Sequence, residues 1–274
     1  MNKRLTFARV MTYVVGYGLA ALWLVPLGWM FLTSLKPANT AINDILPLFK
    51  PPFTLENFRY VLGGSSILSW TLNSVIVSTA VTVGVLAFTS LAAFALSTMR
   101  FRGRRLLYWL IIAGMMIPIE ATVVSLYMTM NDLDLIDTRA ALILPGLAAP
   151  LGVVILKQFF DAIPEDLLSA AVMDGASPWQ VYKDIFLPLS RSSLAALAIF
   201  TFLSSWNSFL WPYLAISTEE MMTLPIGVPL FQGSFQTETT RPMAANLLAS
   251  LPVIVAFLLF QRHIVKGVAM TGIK

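Results

Sequence analysis

"SAAVMDGASPWQVYKDIFLP", residues 169–188, lies between two strongly apolar segments and carries Asp174, Lys183 and Asp184 around a Gly-Ala-Ser-Pro break. It reads as a helix, a turn and a second helix. Upstream, Pro164 suits a first helical position, where its missing N–H costs nothing. Glu165 and Asp166 suit the positive first turn. Gly175 suits the left-handed position that ends such a helix. Ser177 then opens the next helix, with Pro178 following and Gln180 three residues on, the pattern of a capping box. Trp179, Tyr182, Ile185 and Phe186 are expected on one face, and Pro188 is expected to stop the helix. The product is a bent rod with Ser169, Ala170, Ala171 and Ala176 at its bend, small enough for another surface to approach closely. A helix that merely lies on lipid headgroups usually has a Lys-rich polar face. Here Asp161, Glu165, Asp166, Asp174 and Asp184 outnumber Lys157, Lys183 and Arg191, which favours a protein partner.

The flanking chain is built for lipid. Of 274 residues 57% are hydrophobic and 12% charged, about half the charge of a soluble domain. A helical span needs about 20 apolar residues. Six stretches qualify, near 12–32, 71–96, 106–130, 140–160, 194–215 and 244–262. The first follows Lys3, Arg4 and Arg9 but has a long apolar core and no small-x-small cleavage site, so it reads as an uncleaved span. Thirteen of the eighteen Lys and Arg residues fall on the side that holds both termini, the "RFRGRR" loop (100–105) and the bent rod. That side is therefore expected to be cytoplasmic, with loops 33–70, 131–139 and 216–243 facing outward. The domain reading is an N-terminal tail, first span and outer loop (1–70), a transmembrane core (71–262) with a cytoplasmic loop at 161–193, and a cytoplasmic tail (263–274).

Several functions are disfavoured at once. Nucleic-acid recognition wants a concentrated basic face, whereas a net charge of +4 is dispersed over short loops. With no cysteine and one histidine, His263, neither a disulfide nor a histidine-based metal cluster is available. No nucleophile–base constellation for a membrane enzyme is visible.

The rod resembles the signature loop of the membrane subunits of binding-protein-dependent ABC importers. That loop runs Glu-Ala-Ala, three residues, Gly, nine residues, Ile, one residue, Leu-Pro. Here Ala170 and Ala171 precede Gly175, and Ile185, Leu187 and Pro188 stand at the far end. The one departure is Ser169 where the family has Glu; Glu165 and Asp166, one turn earlier, are the candidates to replace its ion pair. The likeness extends through "SLKP" (34–37), "FTLENF" (53–58), "NS" (73–74), "AAFALSTMRFRG" (92–103), "WNSFLWP" (206–212) and "QRHIVKGVAMTGIK" (261–274), all similar to the sugar-type subgroup and its shorter, six-span permease. The resemblance implies an all-α integral membrane fold of about six spans, the type I ABC importer permease. It implies a heterodimer with a second, homologous permease in a bacterial or archaeal inner membrane, two cytoplasmic ATPase subunits that bind ATP and Mg, and a solute-binding protein outside. Residues 169–171 and 174–179 (Ser169, Ala170, Ala171, Asp174, Gly175, Ala176, Ser177, Pro178 and Trp179) would form a coupling helix seated in an ATPase cleft. The chain has no Gly-x-x-x-x-Gly-Lys-Ser/Thr sequence, the phosphate cradle of many ATPases, so it is expected to transmit a partner's work rather than hydrolyse ATP or bind a cofactor itself. The tail from Lys266 to Lys274 is expected to touch the ATPases, as family tails do.

A solute path is sought among polar groups within spans. Glu120 is the one acid deep in a proposed span, and burying it in lipid costs roughly 3 kcal/mol or more. Pro118 permits a kink beside it, and Tyr127 shares its face. Glu120 is read either as a pathway acid or as a packing acid against the partner permease. On the fifth span Ser204, Asn207, Ser208 and Trp211 follow helical spacing and predict one polar stripe, flanked by Trp206. Hydroxyl partners with an aromatic plate are what a sugar needs. Thr71, Ser74, Ser78, Thr82 and Thr89 on the second span read instead as packing hydroxyls. Gly84, Ala87, Ala92 and Ala93 there fit close helix contact. No Lys or Arg lies mid-span, which favours a neutral sugar or polyol. A glycerol-phosphate substrate is the alternative within the family, and an ion-coupled carrier using Glu120 the alternative outside it. The Gly and Pro of "LPIGVPLFQGSFQTETTRP" (224–242) exclude a long helix. Family members use that region to touch the solute-binding protein.

Overall fold

The protein is described by a computed structural model covering residues 3–38, 40, 46–64, 66–231 and 239–271. Among these residues it is helical throughout, with no strand. The long elements are α1 (Lys3–Ser34), α2 (Glu56–Gly63), α3 (Ile67–Thr98), α4 (Arg104–Gly114), α5 (Ile119–Asp132), α6 (Arg139–Gly146), α7 (Pro150–Asp161), α8 (Glu165–Met173), α9 (Pro178–Leu189), α10 (Arg191–Trp206), α11 (Leu210–Ala215) and α12 (Thr240–Thr271).

Two of these are unbroken and apolar enough to cross a membrane, Arg9–Ser34 and Ile67–Thr98, and three bent pairs raise the number among the described residues to five. The sixth expected span lies in α12, whose side chains beyond Leu258 lie outside the described residues, as do the tail residues 272–274. The expected continuous spans at 106–130, 140–160 and 194–215 are corrected. α4 and α5 meet at 99°, α6 and α7 at 42°, and the fifth span stops at Trp206 and resumes at Leu210. The cause is local. Pro118, Pro150 and Pro212 stand just before or inside each resumed helix and cannot donate to the carbonyl four residues back.

The chain divides into two compact units. The first joins residues 1–68 with 227–252. Residues 9–28 of α1 are all exposed, an apolar surface that requires lipid or another chain. The segment after α1 is tied down by Asn57, whose Nδ2 donates to Ser34 O (2.8 Å) and Lys36 O (2.6 Å). Buried Lys36 donates to Lys50 O and lies 4.2 Å from the Phe53 ring centre.

The second unit holds 69–226 and 253–274. One core gathers Val77, Val81 and Val85 of α3 with Ala141, Leu142, Trp211 and Ala215. Another packs Ala93 and Phe94 of α3 against Leu156, Phe160, Tyr182, Phe186 and Leu197. Helices come close where glycine permits: a Cβ on Gly152 would meet Thr89 Cγ2 at 2.9 Å, and one on Gly84 would collide with Leu147 Cδ2. Of the small residues expected at contacts on α3, Gly84 and Ala93 make them, while Ala87 is exposed.

Candidate coupling elbow and translocation cleft

The elbow is set by its capping. α8 ends with Gly175 at φ +80°. Gly175 N donates to Val172 O (3.1 Å) and Ala176 N to Ala171 O (2.9 Å), the two bonds that close a helix C-terminus around a left-handed residue. Ser177 then caps α9. Gln180 N donates to Ser177 Oγ (3.4 Å), and Ser177 N donates to Gln180 Oε1 (2.8 Å). Pro164 stands one residue earlier than expected, at the N-cap of α8.

The inner side of the elbow is bolted to the second core. Tyr182 and Ser90 share a buried hydroxyl–hydroxyl bond of 2.7 Å. Phe94 lies 5.3 Å from the Tyr182 ring and 5.1 Å from Phe186, and Phe160 5.2 Å from Phe186. Trp179, Tyr182, Ile185 and Phe186 fall on one face as expected, with the Trp179 ring 5.2 Å from that of Tyr182; Tyr182 and Phe186 are buried, whereas Trp179, at the outer end, is 61% exposed. The backbone winds wider over Val181–Phe186, where Leu187 N bonds Tyr182 O five residues back. The helix ends at Leu189, one residue past Pro188, and turns by 77° into α10 at Ser190.

What the elbow offers outward is a ridge. Ser169, Ala170, Asp174, Gly175, Ser177 and Pro178 are exposed, Ala176 is half-buried and Ala171 is buried. Val172 and Met173, at 60% and 82% exposure, stand beside them. Sequence reasoning passed over both; two large apolar side chains just ahead of a helix-ending glycine were the available signal.

A cleft of about 320 Å³ opens within the second unit between α3, α5, α6, α10 and α11. Ser204, Ser208 and Trp211 line it, and Glu120, Tyr127, Trp206 and Asn207 do not. The expected single helical stripe is thereby corrected, because the helix breaks inside it. Asn207 instead donates Nδ2 to Leu203 O (2.8 Å), closing the end of α10. Trp206 is buried against Phe202, ring centres 5.7 Å apart. Trp211 keeps its N–H within the protein, donating to Ala141 O at 2.8 Å. Glu120 is exposed in the first turn of α5, just past the break, and Tyr127 is exposed two turns on.

The cleft draws hydroxyls that sequence reasoning assigned elsewhere or missed: Ser74, Ser78, Ser205 and Thr223. Thr82 and Thr89 do bond their own backbone, each 2.6 Å from a carbonyl one turn back. Ser78 and Thr223, exposed only 1% and 6%, have hydroxyl oxygens with no partner among the described residues. Thr223 is placed by a stitched outer segment. Trp70 donates to Glu219 O (2.7 Å), Asn73 to Glu220 O (2.7 Å) and Met222 O (2.9 Å), and Leu224 N to Ser74 Oγ (2.8 Å). Asp137 completes the clasp. Its carboxylate accepts from Thr218 N (3.0 Å), Ser217 N (2.9 Å) and Thr218 Oγ1 (3.1 Å). The Thr218 amide above all holds this carboxyl below the usual carboxylate range, against a smaller opposing effect of burial. No charged side chain lines the cleft, and among the described residues no acid or histidine cluster could hold a metal.

An exposed rigid elbow beside broken apolar spans that enclose a hydroxyl-lined cleft defines a helical membrane transport subunit. The comparisons agree. Residues 86–270 match the profile of the binding-protein-dependent transport system inner membrane component family. The chain is 34% identical over 252 residues to the arabinooligosaccharides transport system permease protein AraQ of Halalkalibacterium halodurans, covering 91% of this chain and 90% of that one. It is 34% identical over 255 residues to the sn-glycerol-3-phosphate transport system permease protein UgpE of Salmonella typhimurium, covering 90% and 91%. A crystal structure of a bacterial ABC transporter involved in the import of the acidic polysaccharide alginate superposes with a TM-score of 0.81, covering 96% of this chain and 98% of that one at 23% identity, a likeness of fold. The chain therefore belongs to the binding-protein-dependent transport system inner membrane component family, as an ABC transport permease subunit and not an enzyme.

Proposed function

We propose that this subunit imports a neutral sugar or polyol, handed over by a solute-binding protein, as one half of a permease heterodimer driven by two ATPases. The observation that carries the substrate class is the cleft: at least six hydroxyl side chains, an aromatic plate at Trp211, and no charge. Sugars are bound by hydroxyl hydrogen bonds and by apolar contact with aromatic rings, and that lining supplies both. The elbow supports the coupling. Its apolar ridge of Val172, Met173 and Trp179 is exposed, and a buried aromatic cluster fixes its inner side. Closure of the ATPases would move the elbow as a rigid lever, the repacking of two packed arrangements rather than a bending of one. ATP and Mg belong to the ATPases, and both termini lie on their side of the membrane.

A second reading is favoured by the UgpE relatives: a glycerol-phosphate substrate. It would require the companion permease to bring the cation. The ion-coupled carrier through Glu120 is not retained, since the family supports ATP coupling.

The test is reconstitution of the full complex in liposomes with its own binding protein. ATP-driven uptake is followed across neutral oligosaccharides, polyols, glycerol 3-phosphate and an acidic oligosaccharide. Uptake of a neutral member supports the assignment, uptake of the phosphate ester alone supports the second reading, and uptake driven by a proton gradient without ATP would overturn both.

A further inference from the structure

Four arginines, Arg100, Arg102, Arg104 and Arg105, stand within six residues where α3 passes into α4. Lys157 of α7 reaches the same corner, its Nζ 5.0 Å from the Tyr108 ring centre. Two clefts meet there with Arg104 and Lys157 as a shared wall. One, of about 510 Å³, is floored by Phe101, Gly103 and Tyr108. The other, of about 480 Å³, runs past Glu165 and Ser169 to the elbow. The acids facing this corner are Asp161, 2.6 Å from Lys157, and Glu165. Lys157–Asp161 is the only ion pair among the described residues, so the arginines carry uncompensated charge there. The Arg104 guanidinium donates to Met99 O at 3.1 Å.

The surface beyond the arginines identifies what they hold. From Arg105 the helix continues through Leu106, Leu107, Trp109 and Leu110, all exposed, and α4 buries none of its residues. Gly103 opens the helix at φ +86° with no side-chain cap and no atom within 4 Å of where a Cβ would stand. A cationic, open head followed by a bare apolar helix has the polarity of a phospholipid: phosphate at the arginines, acyl chains along α4. Guanidinium groups pair with phosphate in two-point contacts, and basic pockets at the cytoplasmic membrane surface collect anionic lipid.

We infer that this corner binds the headgroup of an anionic phospholipid, with Arg104, Arg105 and Lys157 on its phosphate. The acid-rich elbow repels the same headgroup and confines it to the corner. Because Arg104 borders both clefts, a bound lipid props the elbow from the side of α3.

The experiment uses the full-length chain with the subunits that purify with it, in mixed micelles of phosphatidylglycerol and phosphatidylcholine, with retained lipid counted by native mass spectrometry. Wild type should retain phosphatidylglycerol preferentially. Arg104→Gln/Arg105→Gln should lower that preference about thirtyfold, and Arg102→Gln, whose residue lines neither cleft, should not. If the double variant fails to fold, Lys157→Gln, which leaves the loop intact, should lower the preference in its place. Equal retention of the two lipids by wild type, or an unchanged preference in both cleft variants, would overturn the inference. So would displacement of the lipid by excess inorganic phosphate, which marks a soluble-anion site. Loss of a companion subunit with lipid retention unchanged would mark a protein contact and overturn it as well.

Discussion

Gly175 separates backbone geometry from packing in the elbow. It sits at φ +80°, yet a Cβ there would meet nothing within 4 Å. Substitution therefore acts through the backbone alone. A left-handed residue with a Cβ costs about 1–2 kcal/mol, and a β-branched one more. If the peptide flips to escape, the bonds from Gly175 N to Val172 O and from Ala176 N to Ala171 O go with it, at about 0.5–1.5 kcal/mol each. Gly175→Val is thus expected to disfavour the native turn by about 2 kcal/mol or more, with loss of the two bonds as the alternative cost of escape. Even about 2 kcal/mol depletes that conformation roughly thirtyfold. Asn tolerates the left-handed region, so Gly175→Asn should be mild, Gly175→Ala intermediate and Gly175→Val severe. The assay is substrate-stimulated ATP hydrolysis and uptake by the reconstituted complex, with melting in detergent as control. Since the second core does not involve Gly175, melting should move little while uptake per ATP falls in the order Asn, Ala, Val. A Val variant that transports like wild type, or three variants that fail equally, would refute the reasoning.

Ser204→Ala with Ser208→Ala should raise the substrate concentration for half-maximal turnover with little change in melting. Trp211→Ala should instead destabilise by about 3–5 kcal/mol, read as a lower melting temperature in detergent. Asp137 titrates below the usual carboxylate range in the folded protein. Its ionised form thus adds stability above the unfolded-state pKa, and that contribution vanishes as pH falls through the folded value. Asp137→Asn should flatten the decline in melting temperature below about pH 4. Gly152→Leu should cost about 3 kcal/mol by overpacking, because Thr89 is anchored to Val85 O and cannot swing aside; an unchanged melting temperature would show that α3 and α7 can separate.

The elbow was largely legible because capping is local chemistry. Gly175 and the Ser177–Gln180 pair announce their conformations within a few residues. The wider turn at Val181–Phe186 was not, since nothing within those six residues departs from ordinary helical spacing. Helical periodicity also misled where it was carried across the break between Trp206 and Leu210. Ser204 and Trp211 do share the cleft, but they stand on different helices. Ser78 and Thr223 were illegible for another reason. Their meeting depends on the bond between Leu224 and Ser74, 150 residues apart, and such a register has no short-range signature.

The interrupted spans have a bearing on leakage. Pro118, Pro150 and Pro212 deprive the carbonyls of Gly114, Gly146 and Ser208 of the amide that an intact helix would supply four residues on; Gly114 O is met instead by Ile117 N at 3.4 Å. Hydrocarbon tolerates no unmet carbonyl, so the other two call for shelter by a neighbouring chain or for water. Where water is the shelter, a seal against ions has to be made by oily constrictions beside the breaks, not by the breaks themselves.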